Sequence, residues 1–193
     1  KDAAGVKAIL GPGSGLGMAA LVPNDAGKLT VLSSAGGHGD LAPGSFLEAE
    51  LWSVLAQTHQ HVSWETVLSG PGIVNLYQAM SSVWGVESAP KSAEEIVQQG
   101  LAAEPLCHQT LETFAGLLGG AAGNLALTVG ARGGVYISGG IAPKLADMLP
   151  TSPLRRRFDE RGDLSDYAKA IPLYLVMDEQ PGLLGARQML TDA

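Results

Sequence analysis

The first 35 residues contain three short apolar runs that are separated by turn-forming residues. The runs are residues 6–10, 18–22 and 29–32. Residues 11–17, which separate the first two runs, include four glycines, and residues 23–27 read Pro-Asn-Asp-Ala-Gly. Short apolar runs bounded by such turns are typical of strands. We therefore predict three short antiparallel strands, with the glycine-rich segment connecting the first two.

From residue 45 onward the apolar positions follow the three- and four-residue spacing of helices. Ser45 and Glu48 are spaced as a capping box at a helix start, and so are Ser92 and Glu95. Behind the first box, apolar residues recur at helical spacing: Phe46, Leu47, Leu51, Val54 and Leu55. A longer helix is predicted from a second set: Cys107, Leu111, Phe114, Leu118, Ala121 and Leu125.

The second half of that longer helix is rich in glycine. Gly116, Gly119, Gly120 and Gly123 lie within eight residues, and each costs about 1 kcal/mol of helix propensity relative to alanine. Such a cost is offset where another backbone or a ligand approaches the helix closely. Tight packing against a second helix is the alternative explanation.

The last third of the chain alternates single strands with helices. Residues 133–141 predict a buried strand that ends in a glycine turn, and Pro143 suits the start of the next helix. Ser152 and Pro153 begin a basic helix, residues 171–177 predict a last strand, and residues 182–190 predict a terminal helix. The whole order predicts an α/β fold in which helices cover a mixed sheet of about five strands.

Composition and charge narrow the classes of partner. The chain has 193 residues, 46% of them hydrophobic, which suits one domain with a sizeable core. Its formal charge of -7 disfavours nucleic acid and anionic membrane surfaces. A single cysteine excludes an internal disulfide framework, and no apolar run approaches the roughly 18 residues of a membrane helix. We expect a cytoplasmic protein and, since the chain begins at Lys1 rather than Met, a fragment.

The histidines and the cysteine do not predict a metal site. Cys107, His59, His61 and His108 are scattered over helical or polar segments, which does not make a tetrahedral set. We interpret His59 and His61 as surface residues. The Cys107 helix and the terminal helix are candidate dimer surfaces, although core helices would show the same pattern.

The glycine-rich segment is the first candidate binding loop. Gly11, Gly13, Gly15 and Gly17 occupy alternate positions, so the backbone can present successive N–H groups to an anion. A dinucleotide fingerprint is excluded because the spacing is wrong and a strand, not a helix, follows. A P-loop is excluded because no Gly-Lys-Ser/Thr follows the glycines. What remains is a phosphate-binding β-hairpin or a tight structural turn.

Two further segments carry candidate ligand groups. His38 is flanked by glycines, so its imidazole is accessible and can exchange hydrogen bonds with sugar hydroxyls. Glu65 lies one helical turn before a Ser-Gly-Pro-Gly break and can accept two such hydrogen bonds. The alternatives are an ordinary loop histidine and a solvated carboxylate favoured by the helix dipole. For Asp40 we favour an Asx-type turn over a supporting acceptor.

These segments occur together in an order that resembles the bacterial glucokinase family, within the actin, hexokinase and Hsp70 superfamily of ATPases. The resemblance spans almost the whole chain. It rests on seven segments: residues 11–17, 36–43, 68–77, 123–127, 133–135, 139–141 and 181–185. It implies a ribonuclease-H-like, actin-like ATPase domain. Members of the family transfer the γ-phosphoryl group of ATP to the 6-hydroxyl of glucose, across a cleft between two such domains.

The resemblance also implies roles for particular residues. Residues 1–193 resemble the larger, C-terminal domain of the family, and the N-terminal small domain is absent from this chain. The ATP phosphates would contact Gly13, Ser14 and Gly15. The adenosine pocket would be bordered by Gly139, Gly140 and Ile141. The sugar would be bound by His38 and Glu65, together with Gly37.

Two departures from the family pattern change the expected activity. Ala35 stands where the family usually has a glutamate that binds sugar, and the loss of that carboxylate costs about ten- to hundredfold in affinity. We therefore expect weak glucose binding, a kinase of another hexose, or a sugar-binding pseudokinase. In the family, the magnesium aspartate and the general base lie in the N-terminal domain. We thus expect neither a catalytic residue nor a metal ligand in this chain, and we expect Mg²⁺ to arrive with ATP. The isolated domain should be inactive.

Overall fold

The computed structural model describes residues 5–24, 28–178 and 181–191. In these ranges the strands are β1 (Lys7–Pro12), β2 (Leu16–Pro23), β3 (Leu29–Ser34), β4 (Gly134–Ile137) and β5 (Leu173–Leu175). The α-helices are α1 (Phe46–Leu55), α2 (Trp64–Val67), α3 (Gly70–Trp84), α4 (Ala93–Leu101), α5 (Pro105–Val129), α6 (Leu154–Asp159), α7 (Ser165–Lys169) and α8 (Pro181–Thr191). A 3-10 turn, Gly36–His38, follows β3.

The strands form one mixed sheet in the order β3-β2-β1-β4-β5. The first three strands pair antiparallel, as the turn residues between them predict, and β4 and β5 are added parallel after helical connections. The predicted mixed sheet of about five strands is confirmed. The last strand is shorter than residues 171–177, because the N–H of Ile171 still donates to Ala168 O in the turn that ends α7.

A single apolar core lies between the sheet and the helices. It includes Leu10 of β1, Met80 of α3, Phe114 of α5 and Phe158 of α6, all with no exposed surface. The helical spacing predicted for the Cys107 helix is confirmed, since the corresponding side chains of α5 are buried. Phe46 is an exception to the predicted core pattern: it is the first residue of α1, and 94% of its surface is exposed.

The capping boxes are only partly as predicted. Ser92 and Glu95 form the full reciprocal box at the start of α4. At α1, Ser45 caps the N–H of Glu48, but the Glu48 carboxylate does not return to Ser45. It accepts instead from Gly44 N–H at 2.6 Å and from Arg157 Nη2 at 2.9 Å. A tertiary ion pair has therefore replaced the local hydrogen bond.

The glycines of α5 allow another helix to approach its backbone. A Cβ atom built on Gly119 would overlap the carbonyl oxygen of Leu154 in α6. One on Gly123 would overlap the guanidinium of Arg161, which donates to Gly120 O at 3.0 Å. Tight packing of α6 thus explains Gly119, and the Arg161 side chain, rather than a ligand, fills the space at Gly123.

We expect Gly119→Ala to destabilise the protein by about 1–3 kcal/mol, because the added methyl group must push α6 away from α5. Gly116→Ala is the matched control in the same helix: its Cβ would lie 3.6 Å from Pro153 Cβ, an ordinary contact. That variant should be neutral or more stable by up to about 1 kcal/mol. Urea denaturation of both variants measures the difference, and equal stabilities would contradict the close α5–α6 packing.

Candidate functional site

The glycine-rich segment forms the tip of the β1–β2 hairpin, as predicted. Pro12 pairs with Leu16 at the end of the ladder, and Gly13 N–H donates to Gly15 O at 2.8 Å across the tip. Ser14 is exposed at the tip. Gly13 O in turn accepts the N–H of Gly70, the first residue of α3, at 2.8 Å. The tip is therefore attached to the start of a helix.

The second glycine loop lies against the first, because β4 runs parallel to β1. Ser138 N–H donates to Leu10 O at 2.9 Å, and Ile141 N–H to Pro12 O at 3.4 Å. Gly139 has a φ of +87°, and a Cβ there would overlap the Pro12 carbonyl oxygen. Both facts require glycine at this position. The two loops predicted to hold different parts of ATP are thus neighbours.

A cavity of about 600 Å³ opens between these loops and helices α3 and α4. The loops contribute four of the predicted residues to its wall: Gly13, Ser14, Gly140 and Ile141. Gly15 and Gly139 do not line it. Gly15 lies beside Glu65, and Gly139 packs on Pro12. The structure therefore brings together most, but not all, of the predicted nucleotide residues.

Sequence reasoning missed the contribution of α4 to this cavity. The helix supplies Ala93, Glu94, Val97, Gln98 and Leu101, and Lys144 adds a cation from the turn after the second loop. One signal was present in the sequence: Ile96 and Gly100 form the buried stripe of α4, which leaves the apolar Val97 and Leu101 outside it. A mainly apolar cavity with a few polar groups is typical of a small-molecule site.

The predicted sugar-binding residues meet beside the same hairpin. His38 lies on the 3-10 turn with 68% of its side chain exposed, and its Nε2 is 3.9 Å from Glu65 Oε1. The other carboxylate oxygen, Oε2, accepts the backbone N–H of Leu16 at 2.8 Å. Glu65 is therefore oriented by the hairpin rather than freely solvated. Neither residue lines the 600 Å³ cavity.

Gly37 and Ala35 occupy different positions in the 3-10 turn. Gly37 is buried, and a Cβ there would overlap the carbonyl oxygen of Leu16, so the turn packs directly on the hairpin backbone. Ala35 is the exposed N-cap residue of the turn and makes no side-chain cap. Position 35 is therefore open to solvent, three residues before His38.

The segments that carry His38 and Glu65 are held together by backbone pairing. Leu41 N–H donates to Val62 O at 2.9 Å, and Trp64 N–H to Gly39 O at 3.1 Å. Asp40 forms a bridge in this pairing, and its carboxylate lies 2.8 Å from Nε2 of His61. In place of the predicted Asx-type turn, Asp40 thus has an isolated backbone bridge to Ser63 and a side-chain contact with His61. His61 is a surface residue, as predicted, but it has this partner.

Metal and thiol chemistry gain no support from the described residues. No cluster of three His, Cys, Asp or Glu side chains able to hold a metal ion occurs among them. Cys107 is fully buried, and burial, followed by its contact with Glu104, raises the pKa of its thiol to about 12. Such a thiol stays protonated and unreactive near neutral pH. In the same residues no helix is long and apolar enough to cross a membrane.

Comparison with known proteins gives a consistent result over the whole chain. The family model described as Glucokinase matches residues 1–193. The glucokinase of Chromobacterium violaceum is 45% identical over 186 residues, which are 96% of this chain and 53% of that relative. The glucokinase of Campylobacter jejuni subsp. doylei is 44% identical over 93% of this chain and 54% of its own length. This chain thus spans about half the length of these curated relatives.

Solved structures agree with the fold. The crystal structure of a glucokinase from an Antarctic psychrotroph superposes with a TM-score of 0.93 at 41% identity. The match covers 100% of this chain and 60% of that one. The fold predicted from the resemblance, a ribonuclease-H-like domain of the actin-like ATPase type, is confirmed.

Proposed function

This chain belongs to the glucokinase family, and from that premise we propose that it forms the ATP- and sugar-binding part of a hexose kinase. The reaction is transfer of the γ-phosphoryl group of ATP to the 6-hydroxyl of the sugar. One observation carries the proposal. The hairpin tip lines the 600 Å³ cavity through Gly13 and Ser14 and also binds Glu65 through the N–H of Leu16. A phosphate at the tip would therefore lie close to a sugar at Glu65.

In this proposal ATP occupies the cavity between the two glycine loops and α4. The adenosine lies against Gly140, Ile141 and the apolar side of α4, and the phosphates point to the hairpin tip. The N–H of Gly13 is already bonded to Gly15 O, so we expect Ser14 and Gly15 to provide the phosphate donors. Lys144, which is exposed at the cavity wall, adds positive charge.

The sugar is held by His38 and Glu65. Oxygen Oε1 of Glu65 faces His38, while Oε2 is bonded to Leu16 N–H, so both groups reach a hydroxyl pair from fixed positions. Carboxylate and imidazole are suited to this because sugar hydroxyls both donate and accept hydrogen bonds. Gly37 contributes by letting the 3-10 turn pack closely on the hairpin. These residues bind and orient the sugar rather than react with it.

We further propose that residues 1–193 act as the larger, C-terminal domain of a two-domain kinase. Mg²⁺ would arrive with ATP and, as the resemblance implies, find its protein ligand in the other domain. The general base would also come from that domain, as the resemblance implies. Phosphoryl transfer depends on positioning and on neutralisation of charge by the metal, so one side of the cleft would be inactive alone.

The proposal is tested by ADP release from the complete protein, with ATP, Mg²⁺ and a panel of hexoses. Turnover with at least one hexose, accompanied by formation of its 6-phosphate, is the expected result. The 193-residue chain measured alone should release no ADP with the same sugars. If the folded complete protein turns over none of the hexoses, it is not a hexose kinase. If the isolated chain is active, the proposal that the other domain supplies essential groups is wrong.

A second candidate function is favoured by Ala35. Without a carboxylate at the N-cap of the 3-10 turn, the protein would prefer a hexose other than glucose, or bind sugar without phosphorylating it. Turnover of a different hexose identifies the first case. Saturable sugar binding without turnover of any hexose identifies the second.

Ala35→Glu should lower the KM for glucose about ten- to hundredfold, because it adds a hydrogen-bonding carboxylate beside His38. The exposed position accepts the longer side chain without disturbing the core. Ala49→Glu, at an exposed position of α1, adds the same charge elsewhere and should leave KM unchanged. An Ala35→Glu enzyme with the original sugar preference would show that position 35 does not face the sugar.

A further inference from the structure

We propose that the Gly15-Leu16 peptide of the hairpin is a positioning element for the sugar carboxylate, so that glycine is required at position 15 by the sugar site. This inference rests on the proposed function, since it assigns Glu65 to the sugar. It gives Gly15 a role beyond the contact with ATP phosphates that the resemblance implies. Gly15 and Leu16 then act on the sugar through Glu65 without touching it.

The contact between the hairpin and Glu65 is short and directional. Leu16 N–H donates to Glu65 Oε2 at 2.8 Å, over a separation of 49 residues in sequence. A hydrogen bond from a neutral N–H to a carboxylate is among the stronger kinds, and it fixes which oxygen faces the hairpin. The second oxygen is consequently left on the side of His38, 3.9 Å from its Nε2.

Space at Gly15 is limited by the same carboxylate. A Cβ atom on Gly15 would lie 2.5 Å from Oε2 and 3.1 Å from Cδ of Glu65. The atoms in the way belong to the end of a flexible side chain, not to backbone. An alanine at this position would therefore displace the Glu65 carboxylate and break its bond to Leu16, while the fold itself remains intact.

The next peptide group along the hairpin, Leu16-Gly17, supports the other sugar-binding residue. A Cβ atom on Gly37 would overlap Leu16 O, so the turn that carries His38 rests on the carbonyl of this second peptide. Ser69 makes a further contact, since its Oγ donates to Glu65 O at 2.9 Å. The two peptides that flank Leu16 thus support both sugar-binding residues, at the base of the loop that lines the nucleotide cavity.

The hairpin provides a matched control. Gly17 lies within β2, paired with Gly11, and a Cβ there would meet nothing within 4 Å. It does not line the cavity, and it takes no part in the contact with Glu65. Gly17→Ala adds the same methyl group two residues further along the strand. It should leave sugar binding in the absence of nucleotide unchanged.

The experiment measures the Kd of the preferred hexose by calorimetry, without nucleotide, for the complete protein and its variants. Gly15→Ala should raise this Kd about ten- to hundredfold, whereas Gly17→Ala leaves it unchanged. A role of Gly15 toward phosphate alone cannot affect sugar binding in the absence of ATP. In a Glu65→Ala background, Gly15→Ala should have no further effect, because the carboxylate that it displaces is gone. Thermal unfolding of each variant checks that the fold is retained.

The outcomes separate this inference from the proposed function. If the unmodified protein binds no hexose, both are overturned. If it binds a hexose and Gly15→Ala binds as tightly as Gly17→Ala, only the positioning role is wrong. If Gly15→Ala weakens sugar binding equally with and without the Glu65 side chain, the effect does not pass through Glu65, and the inference again fails.

Discussion

Glu65→Ala is expected to lower kcat/KM for the preferred hexose by at least about a hundredfold. In the proposed sugar site this carboxylate accepts two hydroxyl hydrogen bonds, and each bond to a charged group contributes about 1.5–3 kcal/mol. Only 33% of the side chain is exposed, so solvent replaces these bonds incompletely. Steady-state kinetics of the complete protein, with the hexose varied at saturating ATP, measures the effect.

The matched control for this substitution is Glu50→Ala. Glu50 lies on the exposed side of α1, away from the hairpin and the 3-10 turn. Its replacement by alanine removes the same charge. It should leave kcat/KM within about twofold, as expected for a surface change. A Glu65→Ala enzyme with unchanged kinetics would remove Glu65 from the sugar site.

Glu48→Ala is expected to destabilise the fold by about 3–5 kcal/mol, the usual cost of leaving a buried charge unpaired. Glu48 and Arg157 are separated by 109 residues and lie 2.9 Å apart, with only 8% and 14% of their side chains exposed. Without the carboxylate, the Arg157 guanidinium and the Gly44 N–H both lose their acceptor. The pair joins α1 to α6, so its loss loosens the contact between distant parts of the chain.

An exposed ion pair at the C-terminal end of α6 is the control. Arg156 and Glu160 lie 3.5 Å apart, with 65% and 55% of their side chains exposed. Glu160→Ala should cost no more than about 1 kcal/mol, because water and salt screen such pairs. Urea denaturation of the two variants compares them directly. Equal losses of stability would contradict the buried character of the Glu48–Arg157 pair.

Local sequence signals were sufficient for the five strands, for helices α1, α4, α5, α6 and α8 and for the two glycine loops, but not for α3 and α7. The hairpin followed from alternate glycines between apolar runs, and Ser92 with Glu95 from the spacing of a helix cap. At Glu48 the same local signal was misleading, because Arg157 competes for the carboxylate from a distant part of the chain. The start of β5 was misplaced for a different, local reason, since Ile171 N–H is bonded to Ala168 O in the preceding turn.

The candidate site residues were proposed from local motifs and from the resemblance, whereas the contacts between them could not be predicted. Glycines around His38 indicated an accessible imidazole, and the structure leaves that side chain exposed. The bond from Leu16 N–H to Glu65 and the contribution of α4 to the cavity depend on tertiary packing. Motif spacing carries no information about the bond to Glu65. For α4, the apolar Val97 and Leu101 outside the buried stripe were a signal in the sequence, but they did not indicate which loops would face them.

The proposed binding of ATP and sugar is tested most directly by a crystal structure of the complete protein with its preferred hexose and a non-hydrolysable ATP analogue. We expect the analogue's phosphates at the N–H groups of Ser14 and Gly15, with its adenosine between Ile141 and α4. We also expect sugar hydroxyls on His38 and Glu65. A nucleotide bound outside the 600 Å³ cavity, or a sugar that contacts neither His38 nor Glu65, would contradict this proposal.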